Sequence, residues 1–348
     1  MSTKKLISIS LMLFMCVVML IGCSGNEKAP EQEAGKPAEI VKLKLAHTSA
    51  PNTAIYRTYE KFKEEVEARS GGQIYVDVFP SGQLGGDQDT VEATMRGSLD
   101  ICSSGTNNMS PFTELFLFAD LPYVMRSIEG AHKVYGGPIG KELKEKTEKE
   151  LSLKLLFFAD PGSFRDVMNT RREIRTPSDM RGLKFRSAAS PIEQETIRAF
   201  GGAPTPIAWP ETYMALEQGV VDGGLQQLHW AVTAGHQEII RYITRTGGIH
   251  AVHMALMNLD RFRSLSPEHQ RIIIEAADVA QKYNFNNTEA WNKDLEQIVK
   301  DAGVQFYTPT QEEMELWIAA GMTVYDKFAD KVPREFIDRI LAEQEIIQ

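Results

Sequence analysis

From residue 41 onward the chain alternates between strand-like and helix-like patterns, and this alternation is the strongest constraint on its fold. Residues 41–46 place apolar and polar side chains in turn, which is typical of a strand with one solvated face. Residues 53–69 and 87–96 carry apolar side chains at helical spacing, and strands are predicted over 73–79 and 99–103. Such a β-α-β-α-β order predicts an α/β fold with helices packed on a sheet.

A second α/β unit begins near Phe164 and repeats this organisation. The predicted elements are strands over 181–186 and 220–225, helices over 191–200 and 209–218, and a short edge segment over 204–208. With 348 residues, of which 43% are hydrophobic, the chain has apolar material for about two packed cores.

The segment 266–302 predicts one long helix of about 36 residues, with Ser266 as its cap, Pro267 in its first turn and Gly303 after its end. At 1.5 Å per residue it would extend for about 54 Å and could bridge two lobes. The asparagines around 283–287 favour an alternative in which the segment forms two helices.

The charge balance argues against nucleic acid as a partner. Lys and Arg number 38 against 47 Asp and Glu, so the formal net charge is −9. Such a chain has no general positive field with which to hold a phosphate backbone.

The N-terminus predicts export. Lys4 and Lys5 precede an apolar run over 6–21, and the segment that ends in Cys23 resembles a bacterial lipobox. We therefore predict a signal peptide over 1–22, lipidation of Cys23, and anchoring of the exported protein to a membrane by its lipid. The alternative is a membrane-spanning anchor, although the run is short for one.

Residues 24–39 are rich in Glu, Lys, Pro, Gly and Ala, which predicts a flexible tether after the lipidated cysteine, so that 23–39 form one linking segment. Cys16 would leave with the signal peptide, so Cys102 would be the only free thiol of the mature chain. Its apolar surroundings indicate a buried core residue, and no intramolecular disulfide is expected.

Several segments beyond residue 40 carry a family resemblance. They are 80–85 (PSGQLG), 97–100 (GSLD), 121–123 (LPY), 179–186 (DMRGLKFR), 201–206 (GGAPTP) and 211–223 (ETYMALEQGVVDG). Together they resemble the extracytoplasmic solute-binding proteins of tripartite ATP-independent periplasmic (TRAP) transporters, of the DctP type, over nearly all of 40–340. The resemblance implies a two-lobed fold like that of periplasmic binding proteins, with a long helix spanning both lobes.

The resemblance also implies that Arg186 pairs with a ligand carboxylate. A guanidinium suits this role because it binds a carboxylate through two parallel hydrogen bonds and keeps its charge when desolvated. Arg165 resembles a second arginine that fixes the ligand in this family, but the spacing between the two differs by one residue from the family pattern. Arg171 and Arg172 therefore remain alternatives for the second position.

An amide is expected beside these arginines. Gln226 stands where the family often has Asn, and an amide offers both a donor and an acceptor to a carboxylate or hydroxyl. The additional methylene of Gln leaves the substrate open, and Gln227 is a neighbouring alternative.

Other candidates follow strand ends, where open α/β sheets bind ligands. His47 and Thr48 follow the first strand, and Asn107 follows the third. Trp209 and Phe164 are candidates for apolar pocket walls, although aromatic residues at such places also serve as core.

We find no sequence signal for a metal, a cofactor or catalysis. His229, His236, His250 and His253 lack the carboxylate or cysteine partners of a metal cluster and are expected to be structural or surface residues. The glycines over 82–86 lack the spacing of a dinucleotide loop, and Asp87 after them is predicted to cap a helix. No nucleophile elbow or paired carboxylates indicate a hydrolase.

The resemblance thus implies a receptor, not an enzyme, which closes on an organic acid anion and delivers it to the membrane permease of a TRAP transporter. By the same likeness, one lobe comprises about 40–162 and 252–290, and the other about 163–251 and 291–348. The protein would be anchored at the outer face of the cytoplasmic membrane or in the periplasm. The alternative is an extracytoplasmic sensing subunit that serves a membrane signalling partner.

Overall fold

The structure, a computed structural model, describes residues 40–345. The predicted signal peptide, the lipidated Cys23 and the tether over 24–39 lie outside these residues. None of the helices over 40–345 is long and apolar enough to span a membrane.

The described chain alternates strands and helices as predicted. The strands are β1 (Val41–Ala46), β2 (Ile74–Phe79), β3 (Ile101–Gly105), β4 (Leu153–Ala159), β5 (Arg165–Asn169), β6 (Lys184–Ser187), β7 (Ala203–Pro206), β8 (Gly223–Gln227), β9 (Tyr242–Ile249), β10 (His253–Asn258) and β11 (Gln305–Tyr307). The helices are α1 (Ala54–Arg69), α2 (Asp87–Met95), α3 (Ile128–Gly136), α4 (Pro138–Leu151), α5 (Pro191–Ala199), α6 (Thr212–Glu217), α7 (Leu228–Thr233), α8 (Leu259–Arg263), α9 (Pro267–Asn292), α10 (Leu295–Asp301), α11 (Gln311–Lys327) and α12 (Arg334–Glu345).

The first sheet has five strands in the order β2-β1-β3-β10-β4. β1 is parallel to β2 and β3, whereas β10 is antiparallel to both of its neighbours. On β1, Leu43 and Leu45 are buried and the intervening Lys44 is exposed, which is the alternation that predicted a strand with one solvated face. Helices α1 and α9 pack together beside this sheet, where Tyr59 and Phe62 contribute to its apolar core.

The second sheet has six strands in the order β11-β9-β5-β8-β6-β7. Its edge strand β7 contains Pro204 and Pro206, which have no backbone N–H to donate and are tolerated at an edge, where one side of the strand has no partner strand. Two separate sheets within an α/β chain confirm the predicted two-lobed fold class.

The chain passes between the sheets at two short segments, 160–164 between β4 and β5, and 250–252 between β9 and β10. Helix α9 holds the first of these segments. Asn284 donates to the backbone oxygen of Asp160 at 3.1 Å and accepts from its backbone nitrogen at 2.7 Å, and Thr288 donates to the same oxygen at 3.0 Å.

The long helix is shorter than predicted. Helix α9 has 26 residues and ends at Asn292, which corresponds to about 39 Å instead of about 54 Å. Two residues separate it from α10, so the chain does break into two helices, but at 293–294 rather than at 283–287. The break follows Asn292, whose side chain donates to the backbone oxygen of Pro161 at 2.6 Å.

The C-terminal helices α11 and α12 pack against different parts of the molecule. Helix α11 contacts α5 beside the second sheet, and Trp317 on α11 donates to the backbone oxygen of Arg175 at 2.9 Å. Helix α12 contacts α3, and Gln344 on α12 donates to the backbone oxygen of Val124 at 2.9 Å. The chain therefore returns to the first sheet's side at its end.

Candidate functional site

A cavity lies between the two sheets, at the edge where the parallel strands of each sheet end. Its lining residues are Thr48, Asp87, Asn107, Asn108 and His253 from the first sheet's side, and Arg165, Arg186, Trp209, Leu225, Gln226, Gln227 and Trp230 from the second. The space in the cavity that the centre of a water molecule can occupy is about 40 Å³. Six of the seven residues predicted to bind ligand are therefore brought together, with His47 as the exception.

Arg186 lies on β6 and presents a buried guanidinium to this cavity. Its Nε donates to the backbone oxygen of Ile207 at 2.9 Å, which fixes the plane of the group. Within residues 40–345, no Asp or Glu forms a salt bridge with it, and neither Nη atom donates to a protein acceptor. The side chain thus brings a positive charge and free Nη donors to the site without a salt-bridge partner in the described chain.

Burial explains why this charge needs a partner. Burial is the largest of the influences that together lower the pKa of Arg186 to about 10. The carboxylates of Glu193 and Asp87 raise this pKa, whereas the charge of Arg165 lowers it. The guanidinium also lies over the ring of Trp209, with Cζ 5.5 Å from the ring centre, a favourable cation–π position. An anion in the cavity would complete the environment of this group, which stays charged at neutral pH.

The Gln226 side chain folds back over Gly224, the residue of β8 that pairs with Arg186. Gly224 pairs with Arg186 in the parallel β6–β8 ladder, and Gln226 follows two residues later on the same face. A Cβ on Gly224 would lie 2.9 Å from Nε2 of Gln226, so the amide folds over a position that only glycine leaves open.

The Gln226 amide is held from one side and free on the other. Its Oε1 lies 2.9 Å from Nδ1 of His236, whereas its buried Nε2 has no hydrogen-bond partner in residues 40–345. Burial and, to a smaller extent, the charge of Arg186 lower the pKa of His236 to about 4, so the imidazole is neutral at physiological pH. The arrangement leaves an amide N–H₂ that can donate to an acceptor in the cavity.

Arg165 begins β5 and is the second buried cation of the site. Its Nη1 lies 2.8 Å from Oε2 of Glu193 on α5. The N–H is not directed at that oxygen, because Nη1 has no hydrogen-bond partner in the part of the chain that is described. Asn107, from the first sheet's side, approaches the same carboxylate oxygen with Nδ2 at 3.5 Å.

Arg171 and Arg172, the alternatives for the second arginine, do not line the cavity. Arg171 is paired with Asp222, with Nε 2.6 Å from Oδ1, and its side chain is half exposed. Arg172 donates to the backbone oxygens of Asp179 and Arg181. Both arginines therefore brace the turns around β6, and Arg165 is the one that faces the site.

Asp87 lines the cavity although the sequence indicated only a helix cap. The N-cap of α2 is Gly86, whose backbone N–H donates to Asp89 at 2.9 Å, so the Asp87 side chain is not needed at the helix end. Its carboxylate instead accepts from Thr48 Oγ1 at 2.8 Å and Asn108 Nδ2 at 2.7 Å on different oxygens, and from Gly105 N at 3.2 Å. The capping motif around Gly86 and Asp89 is the signal that could have identified Asp87 as free for another role.

Three further candidates differ from expectation. His47 stacks on Tyr59 at 5.0 Å between ring centres and does not line the cavity; its pKa falls to about 3 because it is buried and lies near His253. Phe164 packs against His250 instead of forming a pocket wall. Gln227 lines the cavity, but its Nε2 already donates to the backbone oxygens of Ser163 and Ala251.

One histidine lines the cavity, although the four histidines named above were expected to be structural or surface residues. His253, the first residue of β10, lines the cavity, and its Nδ1 lies 3.0 Å from Ser103 Oγ. Burial lowers the pKa of His253. No group of three or more His, Cys, Asp or Glu within residues 40–345 has a metal-binding arrangement. The neutral imidazole therefore adds a polar group to the wall.

The fold and this cleft define a binding protein for a small polar molecule, with the site between two sheets. Residues 45–331 match the model of the DctP family, described as bacterial extracellular solute-binding protein, family 7. The chain belongs to this family, which confirms the resemblance. The family consists of solute receptors, so the protein is not an enzyme.

The chain is similar to several characterised relatives. It is 27% identical to the 2,3-diketo-L-gulonate-binding periplasmic protein YiaO of Escherichia coli, over 84% of this chain and 88% of that one. It is 28% identical to the C4-dicarboxylate-binding periplasmic protein DctP of Rhodobacter capsulatus, over 88% and 91%. A TRAP periplasmic solute-binding protein from Polaromonas sp. JS666, bound to D-erythronate, matches with a TM-score of 0.82 and 25% identity, over 88% of this chain and 99% of that one.

Proposed function

We propose that the protein is the extracytoplasmic receptor of a TRAP transporter and binds an organic acid anion between its two sheets. The observation that carries the proposal is the buried Arg186 guanidinium, which faces the cavity with no salt-bridge partner within residues 40–345. A carboxylate would supply the missing charge and accept from both Nη groups. The relatives named above, whose ligands are a keto sugar acid, a C4-dicarboxylate and a sugar acid, favour the same class.

Six of the seven predicted site residues have a place in this proposal. Arg186 pairs with the carboxylate, Arg165 adds a second cation, and the free Nε2 of Gln226 donates to the anion. Thr48 and Asn107 meet the ligand from the first sheet's side, and Trp209 forms an apolar wall beneath Arg186. His47 is left out because it does not line the cavity.

Ligand binding would couple to closure of two lobes. We place about 40–162 and 252–290 in one lobe and about 163–251 and 291–333 in the other, and we group the last helix with the first lobe because α12 packs on α3. A ligand held by both lobes favours the closed state by its differential affinity, and a permease could recognise that state. Residues 160–164 and 250–252 are two of the segments at which the chain crosses between these lobes, and the lobes would turn there.

The receptor class is tested by a thermal-shift screen of residues 24–348 against organic acids, neutral sugars and amino acids. A ligand at 100 times its Kd adds about 2.7 kcal/mol to the free energy of unfolding, which gives a clear rise in Tm. We expect stabilisation by carboxylates and none by neutral sugars of similar size. Stabilisation by neutral sugars alone would contradict the proposal.

The lipid anchor is a separate part of the proposal. We place cleavage before Cys23 and lipidation of its thiol, so that the receptor stays at the outer face of the cytoplasmic membrane or in the periplasm. Mass spectrometry of the N-terminal peptide from cells should show a diacylated Cys23, and Cys23→Ser should release the protein from the membrane fraction. An unmodified mature N-terminus would contradict this part alone.

The membrane partner separates the transport proposal from its alternative. Cross-linking in membranes should capture a multispanning permease if the protein serves a TRAP transporter, and the yield should rise with ligand. Capture of a sensor kinase in place of a permease would favour the sensing subunit, with the same binding site.

A further inference from the structure

The cavity carries a negative charge opposite its two arginines. Asp87 lies on the first sheet's side, whereas Arg165 and Arg186 lie on the second. The field of Asp87 reaches across the cavity, because it is one of the charges that act on the pKa of Arg186, after burial, Glu193 and Arg165. The site is therefore polarised, with its cations at one end and a carboxylate at the other.

The hydrogen bonds of Asp87 leave it a limited capacity for a ligand. A carboxylate can accept about four hydrogen bonds, and the protein supplies three, from Thr48, Gly105 and Asn108. One acceptor direction thus remains for a donor in the cavity. A single hydroxyl matches that capacity, whereas an ammonium group needs three acceptors.

The other polar groups beside Asp87 do not offset its charge. His253 lies on the same side, and burial, the largest influence on its pKa, favours the neutral imidazole. Glu193, within 2.8 Å of Arg165, already balances one of the two arginines. Arg165, Arg186, Asp87 and Glu193 together sum to zero, so a monoanion leaves one excess negative charge and a dianion leaves two. A second ionised carboxylate would also lie close to Asp87, whose own carboxylate is buried.

We infer that Asp87 selects a hydroxylated monocarboxylate, an inference that rests on the proposed function. The carboxylate of the ligand binds at Arg186, and a hydroxyl of the ligand donates to Asp87. A second carboxylate in place of that hydroxyl would be repelled by Asp87. The ligand class is thus that of sugar acids and related polyhydroxy acids rather than C4-dicarboxylates. Discrimination comes from an unfavourable contact with the wrong ligand as well as from a favourable one with the right ligand.

The test compares two acids with the same number of carbons, D-erythronate and succinate, by isothermal titration calorimetry. We expect the wild-type protein to bind erythronate at least about tenfold more tightly than succinate. Asp87→Asn keeps an acceptor oxygen for the surrounding donors but removes the charge, and it should lower that ratio at least about tenfold, mainly by improving succinate binding. Glu92→Gln removes a charge from the exposed face of the same helix, outside the cavity lining, and should leave the ratio unchanged.

The outcomes separate this inference from the proposed function. The inference that Asp87 selects the ligand is wrong if succinate binds the wild type as tightly as erythronate does. It is also wrong if Asp87→Asn leaves the ratio of the two affinities unchanged. In either case the receptor proposal stands, provided that Arg186→Ala abolishes binding of both acids. If neither acid nor any other carboxylate binds, the proposed function itself fails. Tighter binding of an amino acid that is lost in Asp87→Asn would overturn the hydroxyl assignment in favour of an ammonium group.

Discussion

Nη1 of Arg165 lies 2.8 Å from Oε2 of Glu193, and the two side chains are 8% and 0% exposed. A buried ion pair of this kind costs desolvation on both sides, and loss of one partner leaves an uncompensated charge inside the protein. Glu193 thus gives the second arginine of the cavity an opposite charge at short range.

Replacement of Arg165 should therefore reduce stability as well as affinity. Arg165→Met leaves Glu193 unpaired, and we expect the free energy of unfolding to fall by about 3–5 kcal/mol. In the double variant Arg165→Met, Glu193→Gln, most of this loss should be recovered, because neither member of the pair then leaves an unpaired charge behind. Urea denaturation measures the stability, and calorimetry should show that ligand affinity stays weak in both variants. Full recovery of affinity in the double variant would exclude Arg165 from the site.

A second buried carboxylate predicts a pH dependence. Burial raises the pKa of Asp120 to about 7; Arg165 opposes this rise and Glu193 adds to it. Since the folded state binds this proton more tightly than the unfolded state, stability falls as pH rises from about 4 to about 7. At about 1.4 kcal/mol per pKa unit, the full loss is about 4 kcal/mol.

Asp120→Asn should remove this contribution. The variant should be more stable than wild type at pH 8 and nearly equal to it at pH 4, as measured by urea denaturation at both values. Asp166, whose pKa burial raises to about 6, remains in the variant and preserves part of the overall slope. An identical difference between the two proteins at both pH values would contradict the assignment to Asp120.

The first segment between the sheets depends on a glycine. Gly162 has φ +84°, and a Cβ there would lie 2.6 Å from Oγ1 of Thr288 and against the Asn292 side chain on α9. Gly162→Ala should lower the free energy of unfolding by about 2–4 kcal/mol, from backbone strain and displacement of the helix. Gly182→Ala is the matched control, because Gly182 has φ +80° with no atom within 4 Å. Chemical denaturation should show a smaller loss in the control, about 1 kcal/mol from strain alone; equal losses would contradict the role of α9.

The sequence predicted the parts of this molecule that follow from periodicity and from strand ends. The alternation in β1 and the helical spacing in α1 depend on local burial, which a sequence pattern records directly. Arg186, Gln226, Thr48 and Asn107 meet in the cavity because each lies at or just beyond the end of a strand, and such ends share one edge of a sheet.

Other features depend on side-chain direction and long-range contact. An aspartate at the start of a helix is ordinarily a cap. In this helix Asp89 accepts the N–H of Gly86, so the Asp87 side chain is not used as a cap and lines the cavity instead. Glu193 faces Arg165 from a helix 28 positions along the chain, a distance at which no local pattern operates. The break after Asn292 also accompanies a long-range contact, since the Asn292 side chain donates to the backbone oxygen of Pro161.

The central claim is that Arg186 binds a carboxylate between the two sheets, and titration calorimetry of Arg186→Ala and Arg171→Ala with the best acid from the screen tests it most directly. Both variants lose one guanidinium, but only Arg186 faces the cavity, whereas Arg171 is paired with Asp222. We expect Arg186→Ala to weaken binding by about 30-fold to several thousand-fold, equivalent to about 2–5 kcal/mol, and Arg171→Ala to bind as the wild type does. Unchanged affinity in Arg186→Ala, with the variant folded, would contradict the account.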